Sequence, residues 1–454
     1  MNNLINIKNQ KINENTLIEL LFVFFPISFI IGNLALSLNL LLFLIISLFV
    51  IKKNNITLRF KKYYWFPIVF FSYLFINTYF QFSNETILGK AIEKFSFTSS
   101  PVFKSIILIR FVLLIFVVDI LLEKKILNLG KFFLSSLICT SFVSFDVIFQ
   151  FIFGYDVFGF KGSGRWNSGP FNDEFIAGSY LQKFSLFSIF YLFEIFKNTK
   201  ANKLLISLII SFHLIAVLLA GNKMPLILFL FSFFLIFISF KNLRQIILMS
   251  TMLFLLVFAF LFQTNDNIKN PYIGFAKSVI RLINIKPNQN LKIDQAKNLT
   301  KDVEHTMQER TIYASSHKGL FKTALIMWKE KPITGYGLKS FRFQCWNVMY
   351  TSNDANLRCS THPHNYYMEI LAETGIIGLV LLILFFIFIL KNNYKYIKEY
   401  NIKPSKELNF ILPIILVIFI ELWPLKSTGS FFTTWNATFF WLTISLLNAL
   451  KKVK

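Results

Sequence analysis

The sequence predicts an all-α polytopic membrane protein of about twelve transmembrane helices. Composition, run length and charge placement carry that prediction. The 454-residue chain is 55% hydrophobic, with 58 Phe and a mean hydropathy of +0.57. Apolar runs of roughly 18–25 residues recur along it, each long enough to cross about 30 Å of hydrocarbon as a helix. The period-two alternation of a membrane barrel is absent, which leaves helices to satisfy the backbone in lipid. Finally, Lys and Arg gather at every second junction between the runs.

Taken in order, the spans fall near 17–32, 34–51, 64–80, 104–122, 132–153, 175–196, 204–221, 224–240, 245–263, 365–390, 408–425 and 432–450. The first lacks a small-residue cleavage site and runs into the second after a short turn, so it reads as an uncleaved start signal. Basic clusters follow alternate spans: Lys52, Lys53, Arg59, Lys61 and Lys62; then Lys124, Lys125 and Lys131; then Lys197, Lys200 and Lys203; then Lys241 and Arg244. Near the C-terminal end come Lys391, Lys395, Lys398, Lys403 and Lys406, and finally Lys451, Lys452 and Lys454. The positive-inside rule puts these junctions and both termini in the cytoplasm. The net charge of +24 is thereby a topology signal, and nucleic-acid binding is not expected. Three segments result: 1–263 with nine spans, a long periplasmic loop over 264–363 with short helices, and 364–454 with three more spans. The Lys-, Asn- and Phe-rich composition fits an AT-rich bacterial genome, and the expected location is the inner membrane.

Three outward connections carry unusual residues. The first, within 154–174, contains Gly162-Ser-Gly-Arg-Trp-Asn-Ser-Gly-Pro-Phe-Asn-Asp-Glu174. Its glycines allow close backbone approach to a ligand, and Arg165 is a planar, permanent cation suited to phosphate; a Gly-rich turn with an interfacial Arg-Trp anchor is the plainer reading. The second is the turn Ala220–Pro225, where Lys223 either reaches a phosphate or snorkels. The third runs from Gln263 to Pro363, polar and Asn/Lys-rich in its first half. Arg310 marks where it becomes ordered-looking. Ser316 is placed to cap a helix whose Leu320, Phe321, Ala324, Met327 and Trp328 form one apolar stripe, away from Lys318, Lys322 and Lys329. Such a helix lies on the membrane surface or packs against the other loops. Pro332 and the Gly335-Tyr-Gly337 turn end it, and Arg342 follows.

Cys345 and Cys359 share this outward loop and can pair in an oxidising compartment, the alternative being two free thiols; Cys139 lies within a span. Next comes Thr361-His-Pro-His-Asn365, opening a hydrophobic helix that carries Glu369 and Glu373 in line with Asn365. Ionisable groups at that depth are costly in lipid and point to function. His364 suits a general base, a helix cap or a phosphate ligand, and spacing does not choose among them. A metal held by His362 and His364 is not expected: they lack a further ligand at suitable spacing. Glu369 and Glu373 either orient the histidine or pair with Arg110 or Lys183, and plain structural ion pairing is the alternative.

Together these segments resemble the O-antigen ligase and polymerase superfamily of bacterial envelope glycan enzymes. The resemblance spans roughly 160–380 and rests on Arg165-Trp-Asn-Ser-Gly-Pro-Phe-Asn-Asp-Glu174, on Phe321-Lys-Thr-Ala-Leu-Ile-Met-Trp-Lys-Glu-Lys-Pro-Ile-Thr-Gly-Tyr-Gly337, and on His364-Asn365 with Glu373-Thr-Gly-Ile-Ile-Gly378. It implies a helical bundle whose periplasmic face moves a glycan from undecaprenyl diphosphate to a sugar hydroxyl, without metal or cofactor. Arg165 would then bind the donor diphosphate, and His364 beside Asn365 would activate the acceptor or hold the leaving phosphate. The chain departs from the family where Lys223 and His317 stand in place of frequent arginines, which shifts the expected grip on diphosphate toward Arg165, Arg310 and Arg342. The expected partners are the lipid-linked donor, a lipid A-core or other glycan acceptor, and membrane lipids. Ligation to lipid A-core leads; repeat-unit polymerisation and transfer to protein remain alternatives. A transporter or flippase is the rival of a different class, disfavoured because the polar motifs cluster on one face without a visible internal repeat.

Overall fold

Side-chain caps set where many of the helices begin. Asn13, Ser100, Asn128, Thr199, Asn365 and Ser405 each accept a backbone N–H from the first turn that follows, using donors that a helix start leaves open. The structure, a computed structural model, describes residues 13–57, 60–84, 100–196, 199–283, 317–351 and 357–450. The helices are α1 (Glu14–Val23), α2 (Phe25–Ile31), α3 (Asn33–Lys53), α4 (Trp65–Asn84), α5 (Pro101–Leu108), α6 (Arg110–Glu123), α7 (Leu129–Phe153), α8 (Ala177–Ile195) and α9 (Lys200–Leu219). They continue as α10 (Lys223–Ser239), α11 (Arg244–Thr264), α12 (Asp266–Ile283), α13 (His317–Glu330), α14 (Phe341–Thr351), α15 (Tyr366–Ile402), α16 (Lys406–Glu421) and α17 (Thr434–Leu450).

Every predicted span coincides with a helix or helix pair, yet the expected number is not reached. Among the described residues, six helices are long and apolar enough to cross a membrane, or seven if α1 and α2, bent by 51°, form one span. The difference has a physical cause. Helices α10, α16 and α17 have 17, 16 and 17 residues, short of the ~20 that a span needs. α4 and α8 carry Asn77, Gln81, Gln182, Lys183 and Glu194. Most of α16 and α17 is buried against neighbours, where polar groups find protein partners instead of lipid.

Within the bundle α7 runs along α8, α6 along α17, α9 along α11, and α16 along α8. Aromatic edges fill the middle: Phe29 meets Phe184, Trp435 and Phe439 at ring-centroid distances of 5.2, 5.3 and 6.1 Å. The basic junctions collect at one end. Lys53 pairs with Glu14 at 2.7 Å, Lys131 with Glu19 at 2.6 Å and Lys61 with Glu123 at 3.0 Å. A cleft of about 1320 Å³ at this end is bordered by Glu123, Lys125, Lys131, Glu194 and Lys406. α7 starts here and runs ~37 Å to Gly154, so the loop carrying Arg165 lies at the opposite end.

That opposite end carries a second, smaller core in which Leu320, Met327, Phe341, Cys345, Val348, Leu357 and Ala372 pack together. The α13 stripe is therefore largely turned inward onto α15, so packing rather than a membrane-surface position accounts for it. Cys345 and Cys359 are bonded across this core with Cα atoms 5.2 Å apart. The first part of the long loop, polar and Asn/Lys-rich, begins with the amphipathic helix α12. Arg310 and Ser316 lie outside the described residues.

A backbone interlock fixes the small core to the bundle. α15 breaks its helical conformation at Gly375 (φ 63°), and the turn Pro332–Gly337 fits into the break. Tyr336 and Gly337 N–H donate to the carbonyls of Ala372 and Glu373 at 3.1 and 2.8 Å, while Ile376 N–H returns to the carbonyl of Pro332 at 2.9 Å. A Cβ on Gly375 would stand 2.2 Å from the Ile333 carbonyl oxygen, and one on Gly335 2.5 Å from the Glu373 carbonyl carbon. Glycine is needed at both positions because the two backbones touch. α4 backs the joint: Asn77 Nδ2 donates to the Thr334 carbonyl at 2.8 Å and Tyr73 OH to the Thr374 carbonyl at 2.7 Å.

Candidate active site

Three histidines meet above the first turn of α15. The rings of His362 and His364 have centroids 4.1 Å apart, and that of His317, from the start of α13, lies 5.0 Å from His364. His364 adopts a left-handed backbone (φ 58°), a costly conformation for a residue with a side chain, held only where neighbours enforce it. The enforcement comes from the loop between α16 and α17. Thr428 N–H donates to the His364 carbonyl at 2.9 Å, and Ser427 Oγ lies 3.1 Å from His317 Nε2. Thr361 Oγ1 lies 2.9 Å from His362 Nδ1.

Asn365 spends its whole side chain on positioning. Its Oδ1 accepts from Tyr367 and Met368 N–H at 3.0 and 3.2 Å, capping α15. Its Nδ2 donates to the carbonyls of Pro424 and Lys426 at 2.8 and 3.0 Å. The carboxamide thus ties the histidine-bearing loop to the 422–433 loop, and no atom of it remains to meet a substrate.

The two glutamates below do not reach the histidines, nor do they pair with Arg110 or Lys183. Glu369 accepts from Phe431 N–H at 2.7 Å and from Ser430 Oγ. Glu373 accepts from Lys339 and Phe341 N–H at 2.8 and 3.3 Å. Lys339 Nζ donates to Ser430 Oγ at 2.7 Å, closing a buried network that knits the loop after α13 to the loop after α16. Lys183 pairs instead with Glu421 at 2.5 Å, and Arg110 lies over the Phe111 ring at 5.0 Å.

Electrostatics favour neutral imidazoles. Burial holds the pKa of His364 below the ordinary 6.5, with the neighbouring His317 adding to the effect. His362 is pushed down to about 3, first by burial and then by His364, Lys339 and Arg342. These causes disfavour the protonated ring and outweigh the opposing pull of the Thr428 backbone. Arg342, at the start of α14, is half-buried with no hydrogen-bond partner on Nε. It therefore adds positive field beside the histidines.

Arg165 and Lys223 form a second group. Arg165 is exposed, with its guanidinium over the Trp166 ring at 4.6 Å. Lys223 lies over the Phe275 ring of α12 at 5.3 Å, close enough to Arg165 for the two cations to repel. The loop and the turn are seated on each other: Asn167 Nδ2 donates to the Leu219 carbonyl at 2.6 Å, and a Cβ on Gly221 would stand 2.4 Å from the Arg165 carbonyl. A cavity of about 240 Å³ is bordered by Met224 and Pro225, which follow Lys223 in sequence, by Glu174, and by Ser427 and Thr428, which bond to His317 and His364.

Sequence reasoning passed over the lining of that cavity. Glu421 and Lys426 are buried there, with Lys426 Nζ 3.1 Å from Glu421 Oε2. Burial pushes Lys426 down to about 8 against the pull of Glu421. The available signal was the polar run Lys426-Ser-Thr-Gly-Ser430 between two apolar helices. Among the described residues no group of three or more His, Cys, Asp or Glu is arranged to hold a metal ion. Residues 206–383 match the family model described as O-antigen ligase. No curated protein matches the chain.

Proposed function

We propose, from the match of residues 206–383 to the O-antigen ligase family model, that the chain belongs to the O-antigen ligase and polymerase superfamily and transfers a glycan from undecaprenyl diphosphate to a sugar hydroxyl of lipid A-core. The reaction runs at the periplasmic face of the bacterial inner membrane. The observation that carries this reading is the cluster of three histidines at the start of α15, with the Arg165/Lys223 pair as a second cationic group.

Each part has a task in the transfer. Arg165 and Lys223 offset the charge of the donor diphosphate, which makes it a better leaving group. The acceptor hydroxyl oxygen bonds to the anomeric carbon of the donor while the bond from that carbon to the phosphate oxygen breaks. The hydroxyl proton passes to the His364 imidazole, and undecaprenyl diphosphate departs with the electron pair. A base must be neutral before it acts, and the depressed pKa of His364 keeps it so at neutral pH. Asn365, Glu369 and Glu373 hold the loops that aim the histidine. His317 and Arg342 add donors and positive field near the leaving group.

Joining repeat units to one another would use the same chemistry on a different acceptor. A lipopolysaccharide gel from cells lacking the protein, complemented with wild type or His364→Ala, separates the outcomes. Ligation predicts bare core, with long glycan accumulating on undecaprenyl diphosphate, in the deletion and in His364→Ala. Core bearing a single repeat assigns polymerisation instead, and an unchanged ladder in the deletion refutes both.

A further inference from the structure

Lys183, Glu421 and Lys426 are each almost wholly buried, with side chains 4%, 1% and 3% exposed. Glu421 sits between the two ammonium groups, 2.5 Å from Lys183 and 3.1 Å from Lys426. Two positive charges against one negative leave this cluster with an uncompensated buried charge, which is unfavourable unless a further anion completes it or a lysine gives up its proton. Glu421 also accepts from Tyr366 OH at 3.3 Å, a neutral donor that leaves the excess of positive charge in place.

The cluster borders a space. Lys183 Nζ is paired with Glu421 and lies over the Phe439 ring at 4.6 Å, whereas Gln182 Nε2, on a residue 3% exposed, has no hydrogen-bond partner. All four residues border the 240 Å³ cavity beside Ser427 and Thr428, which contact His317 and His364. That volume suits one sugar ring or one phosphate group, not a lipid chain. Glu174, the remaining acidic residue on its border, is exposed at the mouth and screened by solvent.

We propose that this cavity is an anion subsite, in which Lys183, Lys426 and Gln182 hold a carboxylate or phosphate group next to the histidine cluster. It deepens the functional reading above and rests on it for one point only, the identity of the molecule bearing the anion. An acidic sugar of the acceptor would bring its neighbouring hydroxyl under His364. A donor phosphate bound there would extend the Arg165 and Lys223 site inward.

The test is anion binding to the purified full-length protein in detergent, which needs no glycan transfer. Glucuronate, inorganic phosphate, pyrophosphate and neutral glucose are titrated calorimetrically into wild type and variants. The expected result is binding of the anions and not of glucose, about tenfold weaker in Gln182→Leu. Tighter binding is expected in Glu421→Gln, which removes the negative charge between the lysines. Because a lone lysine replacement can unfold the buried cluster, the Glu421→Gln/Lys426→Gln pair reports the lysine's loss without stranding a carboxylate, and weaker binding than in Glu421→Gln is expected. A preference for glucuronate supports an acceptor source, and a preference for pyrophosphate a donor source. Equal binding of glucose, no anion binding, or affinities indifferent to these substitutions overturns the proposal. Loss of transfer in His364→Ala with anion binding intact would leave both readings standing, whereas intact transfer with intact anion binding would sink the role of His364 alone.

Discussion

Replacing Gly375 by Ala tests whether the interlock between α15 and the Pro332–Gly337 turn holds the site together. The added methyl would lie 2.2 Å from the Ile333 carbonyl oxygen and 2.4 Å from its carbon, so the turn must retreat by about 1 Å. The left-handed φ of 63° costs a residue with Cβ about 1 kcal/mol more than glycine. A retreat of that size breaks the bonds Ile376 N–Pro332 O at 2.9 Å and Gly337 N–Glu373 O at 2.8 Å. Each loss costs about 1–3 kcal/mol where the groups stay buried. The expected destabilisation is about 3–7 kcal/mol, read as unfolding free energy in an SDS titration from mixed micelles. Gly274→Ala is the control: a Cβ there, in α12, would meet no described neighbour within 4 Å and should stabilise by about 0.5–1 kcal/mol. Equal stability of the two variants would refute the close-approach argument.

Other expectations follow from the same geometry. Asn365→Asp should keep the α15 cap but lose the donors to Pro424 and Lys426, whereas Asn365→Ala loses both; the unfolding midpoint should therefore fall in the order wild type, Asp, Ala. Replacing both Cys345 and Cys359 by Ser opens a loop with a sequence separation of 14 and should cost about 3 kcal/mol of stability, visible as faster proteolysis of the α13–α14 region. Transfer by wild type should stay flat as pH falls through 6.5 and decline only further down, because His364 ionises below its ordinary value; a decline centred at or above 6.5 contradicts the burial argument. The same sign holds for stability. His362 has its pKa lowered in the fold, so its contribution is complete above about 6.5 and is lost as pH falls toward 3.

Helix positions were legible because apolar run length is a direct readout of lipid thickness, and the histidine and arginine motifs were legible because they interrupt apolar sequence. The number of spans was less so, because α10, α16 and α17 have only 17, 16 and 17 residues and most of α16 and α17 is buried against neighbours. The roles of Glu369 and Glu373 were hidden for a related reason. Their partners are backbone N–H groups of Phe431, Lys339 and Phe341, which every sequence supplies and only a fold aims. Asn365 read as part of the chemistry because it adjoins His364; its cap to Tyr367 and its bonds to Pro424 and Lys426 show a positioning residue. Lys183 was visible as an intramembrane charge, but Glu421 and Lys426 lie more than two hundred residues away in sequence, and only tertiary structure joins them.

The central claim is that His364 takes the proton when a lipid-diphosphate-linked glycan is transferred. The most direct measurement supplies purified protein in detergent with an undecaprenyl diphosphate-linked glycan and a lipid A-core acceptor, and follows release of undecaprenyl diphosphate. The account predicts release by wild type and at least a hundredfold slower release by His364→Ala, about the contribution of a general base, with donor still bound. Release at the wild-type rate by His364→Ala would contradict it.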